Sequence, residues 1–526
     1  STLTSASINW DYNGQSQSSV SFSGNLASGD TTLVTLGSVS FLSGDSASFT
    51  AYPINPNGSA DPNGINDTSR AGPTTAGLGG NYTIGGSSPD FPDFNTAVAA
   101  LELGGAFQSV HFAVRNGTYT ERLSLDSFPK VNLSDTVRFY GETGDSTAVV
   151  LTTSSSNSNN PATVELSNVD KVFLEDMTLQ NLSGSYRQVI RLNDGLKQLR
   201  FSNLVVENNA TSSTATRSNL VYGTGLEEVE GLLFDQVQFY NGAEAMYLDG
   251  GFPEPRGVQV KNCRFEDFYE TGITIWDMDS LRVEGNYLET STAVSYSEGI
   301  GIDDITGLEL VGNTIIGGSA LEHGIYLDDI FGSTNDSNLV ANNMVSLGGN
   351  SRADQGIYLY DINYTEVSHN SVWYYGTQTN GEALYYGYSS FDNQFYNNIF
   401  QNTGGGYAVY AATSTGWDQS DHNNLYSTGP QLAYWSGSDQ ADLSAWQTAT
   451  GQGANNLSQN AQFLDTNDLH TANANLNAAG TPRPRISEDI DGQSRDLSTP
   501  DIGADEFTIA ADDAGLAQWR RQTTQG

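Results

Sequence analysis

One phrase returns along this chain every 25 to 32 residues. Its sharpest copies are Gly272-Ile-Thr-Ile-Trp-Asp277, Gly299-Ile-Gly-Ile-Asp-Asp304, Gly324-Ile-Tyr-Leu-Asp-Asp329 and Gly356-Ile-Tyr-Leu-Tyr-Asp361. Looser copies begin at Thr163, Val189, Leu220 and Ala245, and continue at Ala383 and Ala408. The steps between first positions are 26, 31, 25, 27, 27, 25, 32, 27 and 25 residues. That is too regular for loops and too short for whole domains, and a fixed period of this size marks a solenoid.

Some 14 to 19 residues after each glycine, a short apolar alternation ends in asparagine, as in Leu281-Arg-Val-Glu-Gly-Asn286 and Leu308-Glu-Leu-Val-Gly-Asn313. Asn343, Asn370, Asn398 and Asn424 close later copies. Two short strands per repeat, split by Gly and Asn turns, read as β-coils rather than helices. Stacked coils place equivalent residues about 4.8 Å apart, so aligned asparagines can hydrogen-bond from rung to rung. The pattern resembles an all-β, right-handed parallel β-helix of about ten coils. Cys263, the one cysteine, falls in the column of Met177, Leu204 and Val237 before it and Asn286 and Asn313 after it, the place of a buried thiol.

Composition sets the partners. The formal charge is −40, with 21 Lys and Arg against 61 Asp and Glu. Nucleic acid and anionic membrane are poor partners for such a chain, because phosphate binding needs clustered bases. No run of about 18 apolar residues marks a membrane span. A secreted protein already stripped of its leader is the expectation.

Residues 1–72 carry alternating runs at Ala6–Trp10, Ser19–Phe22, Thr32–Leu36 and Ala47–Ala51, the pattern of a small antiparallel β-sandwich. Ile8-Asn-Trp-Asp-Tyr-Asn-Gly14, Ser23-Gly-Asn-Leu-Ala-Ser-Gly29 and Pro56-Asn-Gly-Ser-Ala-Asp61 make this stretch similar to the later part of the bacterial cell-adhesion-related (CARDB-like) immunoglobulin-like module. The resemblance implies two strands ahead of residue 1, hence a piece of something longer or strands donated by another copy. A Gly/Ser/Pro linker is expected over 73–92, a capped β-helix over 93–432 and irregular structure over 433–526. Phe94, Val98 and Leu101 fall at helical spacing and suit a cap over the first coil. A second short helix is expected over 514–521. The block Tyr82–Glu142 and the ending Pro500-Asp-Ile-Gly-Ala-Asp-Glu-Phe507 resemble β-helix modules of large surface proteins that Bacteroidota secrete by the type IX route. That resemblance implies an extracellular or cell-surface place and an adhesive or assembly role.

In each Gly-Ile-x-Ile strand the aliphatics point inward and the residue between them faces out. Read down the stack, that position gives Tyr222, Tyr247, Thr274, Gly301, Tyr326, Tyr358, Tyr385 and Tyr410. Asp249, Asp277, Asp303, Asp304, Asp328, Asp329 and Asp361 follow the strand, and Glu244, Glu270, Glu298, Glu322, Asp354 and Glu382 precede it. The sharp reading is a carbohydrate face on which Tyr247, Tyr326, Tyr358 and Tyr385 offer ring surfaces and Glu298 and Glu322 accept hydroxyl hydrogen bonds. Asp277, Asp304, Asp329 and Asp361 form a candidate Ca²⁺ ladder, oxygen-only as a hard cation prefers. No cofactor is required.

Catalysis, as a glycoside hydrolase or a polysaccharide lyase, is the competing class, with His323, Asp304 and Asp329 as the group to test. Of the pectinase signatures only paired acids and Glu322-His-Gly324 are echoed, and Arg256, Lys261, Arg264, Arg282 and Arg352 fall away from the tyrosines, so a lyase would lack its base. The bland reading is that Tyr and Asp keep an exposed rod soluble and discourage edge pairing. The expected partner is an extracellular polysaccharide or cell-surface glycan, with self-association through the incomplete sandwich as a further option.

Overall fold

The computed structural model describes residues 2–39, 46–61, 67–75, 77–130, 134–153, 156–291, 296–349, 354–388 and 391–509. The helix expected over 514–521 and Arg352 lie outside the described residues. The chain is a parallel β-helix of about 13 turns. Tyr82, Phe112, Phe139, Leu174, Phe201, Phe234, Val260, Val283, Leu310, Val340, Val367, Phe395 and Ser420 stand one above another in register.

A single coil shows how the sequence makes the turn. Glu298–Val311 runs through two faces of the rod, bending at Asp304, whose φ is 51°. Thr314–Gly318 then forms the third face after a bend at Gly312, φ 68°. We call these faces A, B and C. Both bends need a left-handed residue, which Gly, Asn and Asp adopt at least cost. The A/B bend is accordingly Asp277, Asp304, Asp329 and Asp361 in successive coils, all with φ between 44° and 55°.

The repeated glycine has a packing reason. A Cβ added to Gly299 would lie 2.6 Å from the carbonyl oxygen of Gly324 on the next coil and 2.6 Å from the Ile315 side chain. Stacked rings add to the core, with Phe112 on Phe139 at 4.6 Å, Phe201 on Phe234 at 4.7 Å and Phe239 on Phe265 at 4.6 Å.

The asparagine column is a continuous ladder. Asn286, Asn313, Asn343, Asn370 and Asn398 each receive or pass on side-chain amide hydrogen bonds at 2.9–3.0 Å, and Asn398 donates to Asn423 at 2.9 Å. Cys263 sits at its head, 2 % exposed, and donates its backbone N–H to the Asn286 oxygen at 2.9 Å. Burial raises its thiol pKa to about 12, so it is inert at neutral pH.

The rod is longer than ten coils because the first three rungs lack the Gly and Asn marks. Leu78–Ile84, inside the expected linker, is the first strand of face B and pairs in parallel with Ala106–Val114. The helix α1, Phe94–Gly104, is capped by Asp93 and buries Phe94, Ala97, Val98 and Leu101 against this end of the stack. Glu121 completes the cap by accepting the Phe94 and Asn95 N–H groups at 3.1 and 2.9 Å.

In the N-terminal region, Leu3–Tyr12, Gln15–Ser16, Val20–Leu26, Ser46–Ile54 and Ser69–Thr75 pair antiparallel in one five-stranded sheet. The Thr32–Leu36 run is not a strand, and Leu33 is exposed.

The far end, expected to be irregular, is closed by order. Ala433–Trp435 and Ser438–Gln440 form a hairpin, and α2, Leu443–Thr450, seats Trp446 against Trp417 and Trp435 at 5.8 and 5.3 Å. Residues 456–507 then run back along the rod as a strap. Its own backbone makes few regular pairs, so side chains carry it: Asn342 donates to the Glu488 carbonyl, Asn397 to the Thr481 carbonyl, and Arg483 meets Glu366 at 2.6 Å. Phe463, Leu469, Leu476, Ile502 and Ala504 cover Met344 and Ile399 on face C.

Candidate functional site

Face A presents the tyrosines. In register they read Arg191, Tyr222, Tyr247, Thr274, Gly301, Tyr326, Tyr358, Tyr385, Tyr410 and Tyr434. Arg191, which the sequence reading left out of the column, has its guanidinium over Tyr222, 5.7 Å from the ring centre. Arg256, Lys261 and Arg282 lie on face B and Arg264 on face C, away from this column as expected.

The rings are not laid out as separate platforms. Tyr326, Tyr358, Tyr385, Tyr410 and Tyr434 stack on one another with centroids 4.9, 4.6, 5.6 and 4.3 Å apart and planes within 8° of parallel. Tyr222 and Tyr247 form a second stack at 5.6 Å. Each ring covers its neighbour's face, so solvent sees edges and hydroxyls. The expected flat faces at Tyr358 and Tyr385 are therefore spent inside the ladder.

The column breaks at Thr274 and Gly301. Tyr247 and Tyr326 are three rungs apart, roughly 14 Å at the usual strand spacing, and no ring stands between them in the column. Tyr247 and Tyr326 are the rings that border this gap. Trp276, 39 % exposed, meets Tyr247 edge-on at 5.5 Å, and His323 packs on Tyr326 at 5.3 Å. The Glu298 carboxylate lies over Gly301, its Oε2 2.0 Å from where a Cβ would stand. Any side chain at 301 would displace it.

Acids flank the break on both sides, but not in one row. Glu244, Thr271, Glu298, His323, Gln355 and Glu382 share one column of face A. Glu270, Glu322 and Asp354 stand one residue earlier, so the single row expected from the sequence is two. Burial raises the Glu244 carboxyl to about 7, and burial followed by the nearby Glu298 raises Glu270. Glu322 accepts the Tyr296 N–H at 2.8 Å. On the other side burial, then Asp328, lifts Asp303 to about 6, and burial, then the hydrogen-bonded Asp304, lifts Asp277 to about 6.

The expected catalytic trio is not assembled. His323 opens its strand and Asp329 stands at the bend, six residues on, roughly 20 Å of extended chain. The partner of His323 is Glu298, Nδ1 to Oε1 3.7 Å. The expected Ca²⁺ ladder, Asp277, Asp304, Asp329 and Asp361, is the A/B bend itself, which accounts for its aspartates through backbone conformation. The tightest acid group there is Asp303, Asp328 and Asp329, with one oxygen of each within 4.8 Å of the others. The insertion at 332–338 interrupts face B and meets Arg485 of the strap through Ser337, so it raises no wall over the tyrosines. Of the second insertion, 350–353 lie outside the described residues.

Residues 202–438, a little under half the chain, match the family model described as periplasmic copper-binding protein (NosD). No curated protein matches. Among solved structures, the chain is similar to the Dettilon tailspike protein (gp208) at 14% identity, over 65% of this chain and 64% of that one, with a TM-score of 0.41. The match thus spans just under two thirds of the tailspike. The catalytic unit of the GH87 α-1,3-glucanase from Streptomyces thermodiastaticus strain HF3-3 matches at 13% identity over 80% and 88% of the two chains, TM-score 0.33. The pectin methylesterase from Aspergillus niger matches at 15% over 75% and 95%, TM-score 0.22.

Proposed function

We propose that this protein binds a polysaccharide across face A, with the break at Thr274 and Gly301 as the principal subsite. The observation that carries this reading is the pair of rings, Tyr247 and Tyr326, that border a gap walled by carboxylates. Sugar rings stack on aromatic faces, and carboxylates accept their hydroxyls. The charge of −40 and the acid walls argue for a neutral or amino-bearing glycan and against a polyuronate. The fold likenesses concern proteins named for tailspike, glucanase and pectin-esterase roles, and the ends of the chain resemble secreted surface modules. Both suit an extracellular or periplasmic setting, and adhesion is the use we infer. A hard cation such as Ca²⁺ at Asp303, Asp328 and Asp329 belongs to the same reading.

Copper does not fit the matched stretch. Its sulfur donors Cys263, Met246, Met278 and Met344 are all 0–3 % exposed within the core, and among its described residues no histidine joins two further ligands.

Hydrolysis is favoured as a second reading by one fact: burial raises the Glu244 carboxyl to about 7, so a carboxyl that can give up a proton at neutral pH shares a column with Glu298 and His323.

The test is calorimetric titration with neutral oligosaccharides, alongside a reducing-end assay. Tyr326→Ala is expected to weaken binding about 5- to 30-fold, the ~1–2 kcal/mol of an aromatic contact. Tyr410→Ala, inside the stack, should leave affinity within twofold. Equal losses in both variants would refute the subsite. Reducing ends that vanish in Glu298→Gln and Asp303→Asn would establish hydrolysis.

A further inference from the structure

The strap carries a side-chain cluster that face A does not use. Asp465 and Asp468 close a small turn through reciprocal backbone hydrogen bonds of 3.2 Å, and His470 follows it. Asp468 Oδ1 accepts the His470 backbone N–H at 3.0 Å and stands 2.5 Å from the ring Nδ1, so the imidazole is aimed. Its Nε2 faces Asp491 Oδ2 at 3.0 Å.

Asp489 brings the other members to the same place. Its Oδ1 accepts the N–H groups of Asp491 and Gln493 at 2.9 and 2.7 Å, and its Oδ2 accepts that of Glu506 at 2.9 Å. Ile490 N donates to Ala504 O at 3.0 Å, which sets Asp491 beside Asp505. One ligand atom on each of His470, Asp491 and Asp505 lies within 4.8 Å of the other two.

Asp505 is the independent sign. It is 6 % exposed, yet among the described residues its carboxylate accepts no hydrogen bond. The neighbouring acids are satisfied: Asp501 takes the Ala478 and Phe507 N–H groups at 2.6 and 2.7 Å, and Glu506 takes those of Asp496 and Asp501 at 3.0 and 2.9 Å. Asp505 stands among Asp489, Asp491 and Asp501, like charges that His470 opposes. An imidazolium held between Asp468 and Asp491 would serve those two acids and still leave Asp505 without a hydrogen bond.

We propose that His470 Nε2, Asp491 and Asp505 bind a divalent transition-metal ion, with Asp468 holding the Nδ1–H from behind. Imidazole nitrogen and carboxylate oxygen are both donors that Zn²⁺ takes, and the carboxylate behind the histidine is the usual orienting partner. The nitrogen donor disfavours Ca²⁺ and Mg²⁺. The cluster lies outside the stretch that matches the copper-protein family. Leu469, Ile502 and Ala504, beside it, are 0–1 % exposed in the apolar layer that fixes the strap to face C. The ion therefore cross-links three segments of the strap, beside the apolar layer that holds it on face C.

The experiment uses the full chain, tag-free and stripped with chelator, then given Zn²⁺ or Ca²⁺ alone. Elemental analysis after dialysis should return one Zn²⁺ per chain, and Zn²⁺ but not Ca²⁺ should raise the melting midpoint by several degrees. His470→Ala risks misfolding, so Asp505→Asn is the deciding variant: it should fold with a stripped midpoint at or above wild type and lose the Zn²⁺ shift. Absence of bound Zn²⁺ in the wild type, or a full Zn²⁺ shift in Asp505→Asn, would overturn the proposal.

Discussion

Glu382→Gln is expected to stabilise the protein at pH 9 and to change little at pH 4. Glu382 is 6 % exposed in face A, with one hydrogen bond from Gln355 Nε2 at 2.6 Å. Burial pushes its carboxyl from 4.5 up to about 8, and nearby Asp354, itself raised to about 7 by burial and Glu322, adds to the effect. The folded protein thus holds a proton that the unfolded chain releases near 4.5. Between those values the native state binds more protons, so stability falls as pH rises from about 4.5 to about 8, and the full cost stands above it. The interval corresponds to about 5 kcal/mol at most. Glutamine keeps an oxygen for Gln355 and removes the charge. Denaturation midpoints of both proteins at pH 4 and pH 9 check this. An equal midpoint at pH 9, or a lower one for the variant, would show that the carboxylate is solvated or paired.

Asn343→Ala should be the most damaging single change in the rod, about 3–5 kcal/mol. Asn343 is fully buried; its oxygen accepts from the backbone and side chain of Asn313, each at 3.0 Å, and its amide donates to Leu310 O at 3.0 Å and Asn370 Oδ1 at 2.9 Å. Alanine takes the partner from the Asn313 backbone N–H, one Asn313 amide hydrogen and the Leu310 carbonyl in a buried site, at ~1 kcal/mol or more each, while Asn370 Oδ1 keeps the Asn343 backbone N–H at 3.1 Å. Solenoids need not unfold in one step, so hydrogen exchange on rungs 313–370 is the sharper measure. Exchange there should accelerate while the Phe112 and Phe139 rungs stay protected. Unchanged protection near Asn313 would sink the ladder's claimed role.

The coils between Thr163 and Asn424, the asparagine column, the buried place of Cys263 and the inward face of α1 were legible in the sequence. Each rests on strict spacing: a residue that must sit at a fixed point of every turn announces itself by its period. Of the entry rungs, those of Phe112 and Phe139 are legible as strands, and only the first, Leu78–Ile84, reads as linker, because it lacks the repeated phrase. The two acid rows differ by an offset that the sequence itself carries: Glu298 stands one residue before its glycine, and Glu270, Glu322 and Asp354 stand two, which places Glu298 beside His323 and Glu322 elsewhere.

The sequence by itself determined the β-helix, its outward tyrosine column and its acidic surroundings, since periodic chemistry must become periodic structure when identical turns stack. Only the tertiary structure decided what that surface offers. Rings one rung apart close on each other's faces, so a row of tyrosines becomes a binding surface only where Thr274 and Gly301 interrupt it. The aspartate column proved to be a bend that left-handed backbone demands. The strap has no period at all, and the meeting of His470, Asp491 and Asp505 depends on how its loops fold back on the rod.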